Sequence, residues 1–310
     1  MRIAFFGTSE FAVPALHALG RSAHAVAAVV AAPAQPSGRG RKLVPSPVER
    51  QARAFGLAVL TPEDPNDPAF IAELKSQSPD VAVLAAYGYI LRFPLLTLPA
   101  LGFLNIHPSL LPKYRGAAPI QRALLAGERQ TGVTVIVLSE QVDAGDILEQ
   151  EAVAVGPDET AGELSQRLAD AGARLVLTAL TRLDQGRAGR APQDPKLATQ
   201  APKIAKSDRD VDWRDSAQHV HNRIRALSPE PGAVASFRQR RIVLLRSRVH
   251  STERAGEPGQ LLVQHPGLVV AAGTGTVEIV ELKPEGKRAQ TGQDFRNGSR
   301  LLPGERFAAA

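Results

Sequence analysis

The chain has no cysteine, and that one absence removes disulfides, thiolate zinc sites and a cysteine nucleophile together. No apolar run approaches the roughly 18 to 20 residues that a membrane span requires. The opening MRIAFFGTSEF interrupts its apolar stretch too early for a secretory signal, so a cytoplasmic protein is expected. The glycine pattern of a dinucleotide turn is also missing. FFGTSEF (5–11) carries one glycine where G-x-G-x-x-G would bring backbone onto a pyrophosphate, which argues against NAD. Chemistry is left to histidine, carboxylate, asparagine and the backbone.

What is present is a soluble globular composition, 44% hydrophobic and 22% charged over 310 residues, long enough for two domains with sizeable cores. The formal charge of +6 is unevenly placed. Residues 1–200 hold 19 basic and 19 acidic side chains, whereas residues 201–310 hold 18 and 12, so the whole excess lies in the last third. A basic module joined to a neutral one suits a protein whose second part meets a polyanion, although an arginine-rich solvated surface has the same composition.

Apolar runs at 2–7, 25–32, 57–60, 80–86, 102–107 and 132–138 alternate with helical stretches. Leu164, Leu168, Leu175, Val176 and Leu180 repeat at helical spacing across 160–183. This pattern predicts an α/β fold, a doubly wound, mostly parallel Rossmann-like sheet with ligands beyond the carboxyl ends of its strands. Gly, Ala and Pro then dominate without periodicity. Beyond them, short runs at 233–237, 241–249, 260–264, 267–273 and 276–282 predict a small C-terminal OB-like β-barrel. The expected organisation is a catalytic domain over 1–188, a linker over 189–206 and a basic barrel over 207–310.

NIHPSLLPKYRG (105–116) ends one of the buried runs with Asn105 and His107, which at strand period two point to one face. VDAGD (142–146) follows the next run with Asp143 and Asp146 around a glycine. An amide, an imidazole and a carboxylate at neighbouring strand ends are equipment for acyl transfer. The carboxylate orients the ring, the ring manages a proton, and the amide donates to an oxyanion. An Asn-x-His pair in a loop can equally serve local hydrogen bonding, and D-x-G-D a plain turn.

The stretch NIHPSLLPKYRGAAPIQRALLAGERQTGVTVIVLSEQVDAGDIL (105–148) closely resembles the central signature of the formyltransferases that use 10-formyltetrahydrofolate. QPSGRGRKLVPSPV (35–48), AYGYIL (86–91), KIAKSDRDVDW (203–213), IRALSPEPGA (224–233) and KPEGKRAQTGQDFRNG (283–298) resemble the flanks of members that formylate initiator methionyl-tRNA, so the likeness covers nearly the whole chain. It implies catalytic roles for Asn105, His107 and Asp143. It also implies that Ser109, Leu110, Leu111 and Pro112 meet the folate, with Tyr87, Gly88, Tyr89 and Ile90 as the opposing wall. The donor would be 10-formyltetrahydrofolate, no metal would be required, and the partner would be initiator methionyl-tRNA bound to a monomer away from any membrane.

A tRNA footprint is expected on Arg39, Arg41 and Lys42 of the GRGRKL loop, on Lys203 and Lys206, and on Arg238, Arg240, Arg241, Arg246 and Arg248. The last five lie in a segment with no acid, which predicts a positive stripe following phosphates. One departure is Glu230 in SPEPGA (228–233), where an aromatic is common in the family, and the only tryptophan is Trp213. Two rivals remain. One is a formyltransferase for a small amine such as an amino sugar or glycinamide ribotide, which leaves the basic module without a purpose. The other is a non-catalytic tRNA binder, which leaves Asn105, His107 and Asp143 without one.

Overall fold

The computed structural model describes residues 1–37 and 42–309, so Arg39 and Arg41 of the expected footprint lie outside the described residues. Two compact units form. One comprises Met1–Gly116, Thr131–Val153 and Ser165–Gln200; the other comprises Ala117–Gln130, Ala154–Leu164 and the chain from Ala201 onward.

Among the described residues nine strands lie in the first two-thirds of the chain: β1 (Arg2–Gly7), β2 (Ala25–Val30), β3 (Gln35–Ser37), β4 (Lys42–Val44), β5 (Val59–Leu60), β6 (Val81–Ala85), β7 (Phe103–His107), β8 (Gln130–Val137) and β9 (Ile147–Ala154). The helices are α1 (Val13–Gly20), α2 (Pro47–Ala54), α3 (Pro68–Ser76), α4 (Pro119–Leu125), α5 (Ala161–Asp184), α6 (Ala217–Leu227) and α7 (Gly292–Ser299). Local chemistry sets several helix starts. Ser46 accepts the Glu49 amide ahead of Pro47, and Asp67 accepts the Ala69 amide ahead of Pro68.

The main sheet runs in the order β5-β2-β1-β6-β7-β8-β9, while β3 and β4 pair with each other. Strands β5, β2, β1, β6 and β7 are parallel, as their buried apolar sequences predict. β8 is not. It runs antiparallel to β7, with Leu104 opposite Val137 and His107 opposite Thr134. The expectation of a shared carboxyl edge for β7 and β8 is therefore corrected. Every residue from Thr131 to Ile136 is buried, and a strand covered on both faces reads as a continuous apolar run in either direction. β9, unforeseen in the sequence, lies beyond β8 and alternates half-buried with exposed positions for much of its length, as an edge strand does. Ile106 lies opposite Asn105 and His107 in the pleat and packs on α5, where a Cβ on Gly172 would come within 2.5 Å of its Cγ2. That glycine lets the helix approach the strand.

In the second unit β10 (Ala233–Phe237), β11 (Arg240–Ser251), β12 (Val269–Ala271), β13 (Thr276–Pro284) and β14 (Gln290–Thr291) form one antiparallel sheet, ordered β10-β11-β13-β12 with β14 on β13. Isolated bridges close it. Leu261 pairs with Val270, Gln260 with Arg306 and Ser236 with Ala308, carrying the ladder from β12 back to β10. Of the expected strand 260–264, only Gln260 and Leu261 take part in these bridges. The core packs α6 against the sheet through Val220, Ile224 and Leu227, with Trp213 stacked on Phe307 at 5.7 Å. Among the described residues no helix is long and apolar enough to cross a membrane.

Candidate active site

β7 presents Asn105 and His107 on one face, and the loop after β8 brings Asp143 to both. Asn105 Nδ2 donates to Asp143 Oδ1 at 3.2 Å, His107 Nδ1 lies 3.5 Å from Asp143 Oδ2, and the Gly116 amide donates to the same Oδ2 at 2.9 Å. Because β8 runs antiparallel to β7, the loop reaches this face by folding back along the strand. Gly145 permits the fold: a Cβ there would sit 1.7 Å from the Val137 carbonyl oxygen. Asp143 itself takes φ +51°, the left-handed region that costs a non-glycine residue and clusters at functional sites. Asn105, His107 and Asp143 are 6%, 4% and 9% exposed, in a setting where charges interact more strongly than in water.

The second imidazole nitrogen has a defined partner too. His107 Nε2 lies 2.9 Å from the Tyr114 carbonyl oxygen. A carbonyl can only accept, so Nε2 carries a proton, while Nδ1 faces a carboxylate. Both nitrogens therefore face oxygen atoms, and the ring is held from both sides. Asn105 spends one of its two amide hydrogens on Asp143 and keeps the other for a second acceptor.

Behind these groups stand residues the sequence did not single out. Gln193 Nε2 donates to the Asp143 carbonyl at 2.8 Å and to that of Gly145 at 2.7 Å, and Gln193 Oε1 accepts from Arg115 Nε and Nη2 at 3.0 and 2.6 Å. Thr134 Oγ1 donates to the Ser109 carbonyl at 2.6 Å and accepts from the Leu111 amide and Gln150 Nε2. A lone glutamine in a Pro- and Ala-rich stretch and a threonine inside an apolar strand give no spacing signal.

That threonine alters the view of the SLLP segment. The Ser109, Leu110, Leu111 and Pro112 carbonyls accept from Thr134, Lys113, Gln150 and Thr199. Ser109 and Leu111 are buried, while Leu110 and Pro112 are partly open. A segment packed this deeply pairs its carbonyls internally. On the other wall, Tyr87 is a core residue set edge-on to Phe6, and burial pushes its phenol up. Gly88 and Ile90 are exposed, and Tyr89 is half-buried against Tyr87.

Part of the expected basic stripe is ion-paired. Arg238 forks onto Glu305, Arg248 bonds Glu278, and Arg246 bonds Glu163, so a loop, strand β13 and the first turn of α5 supply the acids that residues 237–250 lack. These bonds raise the Arg238 and Arg248 guanidinium pKa values and lower the Glu305 and Glu163 carboxyls. Arg240 and Arg241 are exposed, and among the described residues no carboxylate pairs with either side chain. Lys42, Lys203 and Lys206 are likewise exposed.

An amide, an imidazole and a buried carboxylate converging on a doubly wound sheet are equipment that suits acyl transfer. Residues 1–180 match the family described as formyl transferase, and residues 203–300 match the formyl transferase C-terminal domain. The chain belongs to the formyl transferase family. It is 45% identical to the methionyl-tRNA formyltransferase of Carboxydothermus hydrogenoformans, covering 99% of each chain. It is 42% identical to that of Moorella thermoacetica, covering 98% of each. Among solved structures, WlaRD, a sugar 3N-formyl transferase determined in the presence of dTDP and 5-N-formyl-THF, superposes with a TM-score of 0.69 at 15% identity, covering 93% of this chain and 99% of its own.

Proposed function

We propose that this enzyme transfers the formyl group of 10-formyltetrahydrofolate to the free amino group of initiator methionyl-tRNA, acting as a cytoplasmic monomer. The observation that carries the reading is the meeting of Asn105 and His107 on Asp143 in a chain that matches methionyl-tRNA formyltransferases from end to end. The methionyl amine attacks the formyl carbon, forming a C–N bond and a tetrahedral oxyanion. Collapse of that intermediate breaks the bond from carbon to N10 of the folate, and the amine proton ends on the folate nitrogen. The free hydrogen of Asn105 Nδ2 and the adjacent His107 ring stabilise the oxyanion, and Asp143 holds the ring and receives or relays the proton.

The folate lies against the open surface of Gly88, Tyr89 and Ile90 and the exposed parts of Leu110 and Pro112. Ser109, Leu111 and Tyr87 shape that surface from beneath. The tRNA is held by Lys203, Lys206, Arg240 and Arg241, with Lys42 on the first unit. Arg238, Arg246 and Arg248 join only if their ion pairs open. Likeness to a sugar formyltransferase rests on the fold alone, and a sugar substrate would leave the unpaired cations of the second unit without a partner. Incubating the protein with 10-formyltetrahydrofolate and either charged initiator tRNA or small amines tests the assignment. Formyl transfer is expected only to the tRNA, and transfer confined to the small amines would overturn it.

A further inference from the structure

We propose that Gln193 is a positioning residue for formyl transfer, holding Asp143 in its strained, catalytically useful conformation. This inference rests on the catalytic reading of Asp143 given above. Asp143 has to satisfy two demands that conflict locally. Its side chain must meet Asn105 Nδ2, His107 Nδ1 and the Gly116 amide, and its backbone must adopt φ +51° to allow it. A left-handed conformation is unfavourable for a residue with a side chain and persists only where the surroundings over-determine it. Gln193 provides that determination. A single amide nitrogen bridges the carbonyls of Asp143 and Gly145, which lie either side of Ala144, and so fixes the local turn.

The orientation of the bridging amide is fixed in turn. Arg115 presents two N–H groups to Gln193 Oε1, and the two loop carbonyls can only accept, so one amide orientation satisfies all four contacts and the flipped one satisfies none. Arg115 stands between Tyr114, whose carbonyl meets His107, and Gly116, whose amide meets Asp143. Its backbone is itself anchored, with the Arg115 amide donating to the Thr199 carbonyl at 2.8 Å. The imidazole and the carboxylate are thus set by neighbouring residues of one short segment, and Gln193 ties that segment to the loop bearing the carboxylate. The stretch expected to be a linker supplies this tie.

The test is steady-state kinetics on the full-length enzyme with Gln193→Met and Gln193→Glu, alongside Asp143→Asn and the Asp143→Asn, Gln193→Met double variant. Methionine keeps the length and removes every hydrogen bond. Glutamate keeps the acceptor for Arg115 but loses the two donors, so it also serves if the methionine variant folds poorly. Both are expected to lower kcat about 10- to 100-fold, the range a misplacement of about 1 Å produces, with KM for folate and tRNA within about twofold. In the Asp143→Asn background the methionine substitution is expected to cost nothing further, because it acts through the lost carboxylate. A kcat within about twofold of wild type for both Gln193 variants, or a loss that multiplies with Asp143→Asn, would overturn the proposal while leaving the catalytic reading intact. An Asp143→Asn enzyme as active as wild type would overturn the reading and the proposal together.

Discussion

Asn105 Nδ2 and Asp143 Oδ1 stand 3.2 Å apart although 38 residues separate them, and the strand preceding Asp143 runs opposite to the one that carries Asn105. The contact uses one amide hydrogen and leaves the other aimed by the same fixed geometry. In the proposed mechanism Asn105 is thereby a pre-oriented donor, whose worth lies in needing no reorganisation when negative charge develops.

Replacing Asn105 with alanine is therefore expected to lower kcat by roughly 100- to 1000-fold, the loss of about 2.7 to 4 kcal/mol of transition-state stabilisation that one oxyanion donor provides. Binding of initiator tRNA should be nearly unchanged, since the residue is 6% exposed and its described side-chain bond is to Asp143. Single-turnover formylation measured beside tRNA binding checks the split. A variant with weakened binding and intact chemistry would remove the oxyanion role.

These residues differ in how visibly the sequence marks them. Asn105 and His107 stand out as polar side chains at period two ending a buried apolar run, and Asp143 as part of a D-x-G-D turn, but the same pattern serves local hydrogen bonding, and only the family resemblance singles the three out. The direction of β8 is hidden, since a strand buried on both faces has the same pattern either way. The pairing of the arginines is hidden for another reason: Glu305 lies 67 residues from Arg238 and Glu278 lies 30 from Arg248, so only the closed sheet brings charge to charge. Gln193 and Thr134 are invisible because their work is done through backbone atoms of other residues, which carry no residue-type signature.

Thr134 gives a prediction about stability. Its hydroxyl serves three partners at once, the Ser109 carbonyl, the Leu111 amide and Gln150 Nε2, and the residue is fully buried. Valine has the same shape and none of the bonds, so Thr134→Val leaves buried polar groups unpaired at a cost of about 1 to 3 kcal/mol. Urea unfolding should show a lower midpoint with an unchanged slope, and KM for the folate donor should rise as the 109–112 segment loosens. Superimposable unfolding curves would show that those partners find other bonds.

The ion pairs of the second unit predict an uneven tRNA footprint. Arg241 is exposed and unpaired among the described residues, so Arg241→Ala should weaken tRNA binding and reduce the slope of log affinity against log salt by about one. Arg248 already spends its guanidinium on Glu278 at 2.7 Å, so Arg248→Ala should leave that slope unchanged, because the slope counts neutralised phosphates. Titrations at several salt concentrations decide the point. Equal slope losses for both variants would mean that the Arg248–Glu278 pair opens on the complex.

His221 predicts how the second unit responds to acid. The residue is 1% exposed; its ring Nε2 faces the Pro157 carbonyl at 3.0 Å and its Nδ1 faces Ser247 Oγ at 2.9 Å. The carbonyl requires a proton on Nε2, so Nδ1 accepts from the serine hydroxyl, and the neutral ring satisfies both contacts. Burial lowers the His221 pKa and outweighs the Pro157 carbonyl, which raises it; nearby Arg225 lowers it further and Asp158 raises it. A histidine whose folded pKa lies below its unfolded value of 6.5 binds its proton more readily in the unfolded chain. Above that value the group is neutral in both states and does not alter stability with pH. As pH falls below 6.5 the unfolded state is protonated first and stability drops, levelling only once the folded ring is protonated too. His221→Gln keeps donor and acceptor capacity but cannot titrate, so its unfolding free energy should vary less with pH below 6.5 than that of the wild type. Parallel curves for the two proteins through that window would show that His221 is not the group that senses the proton.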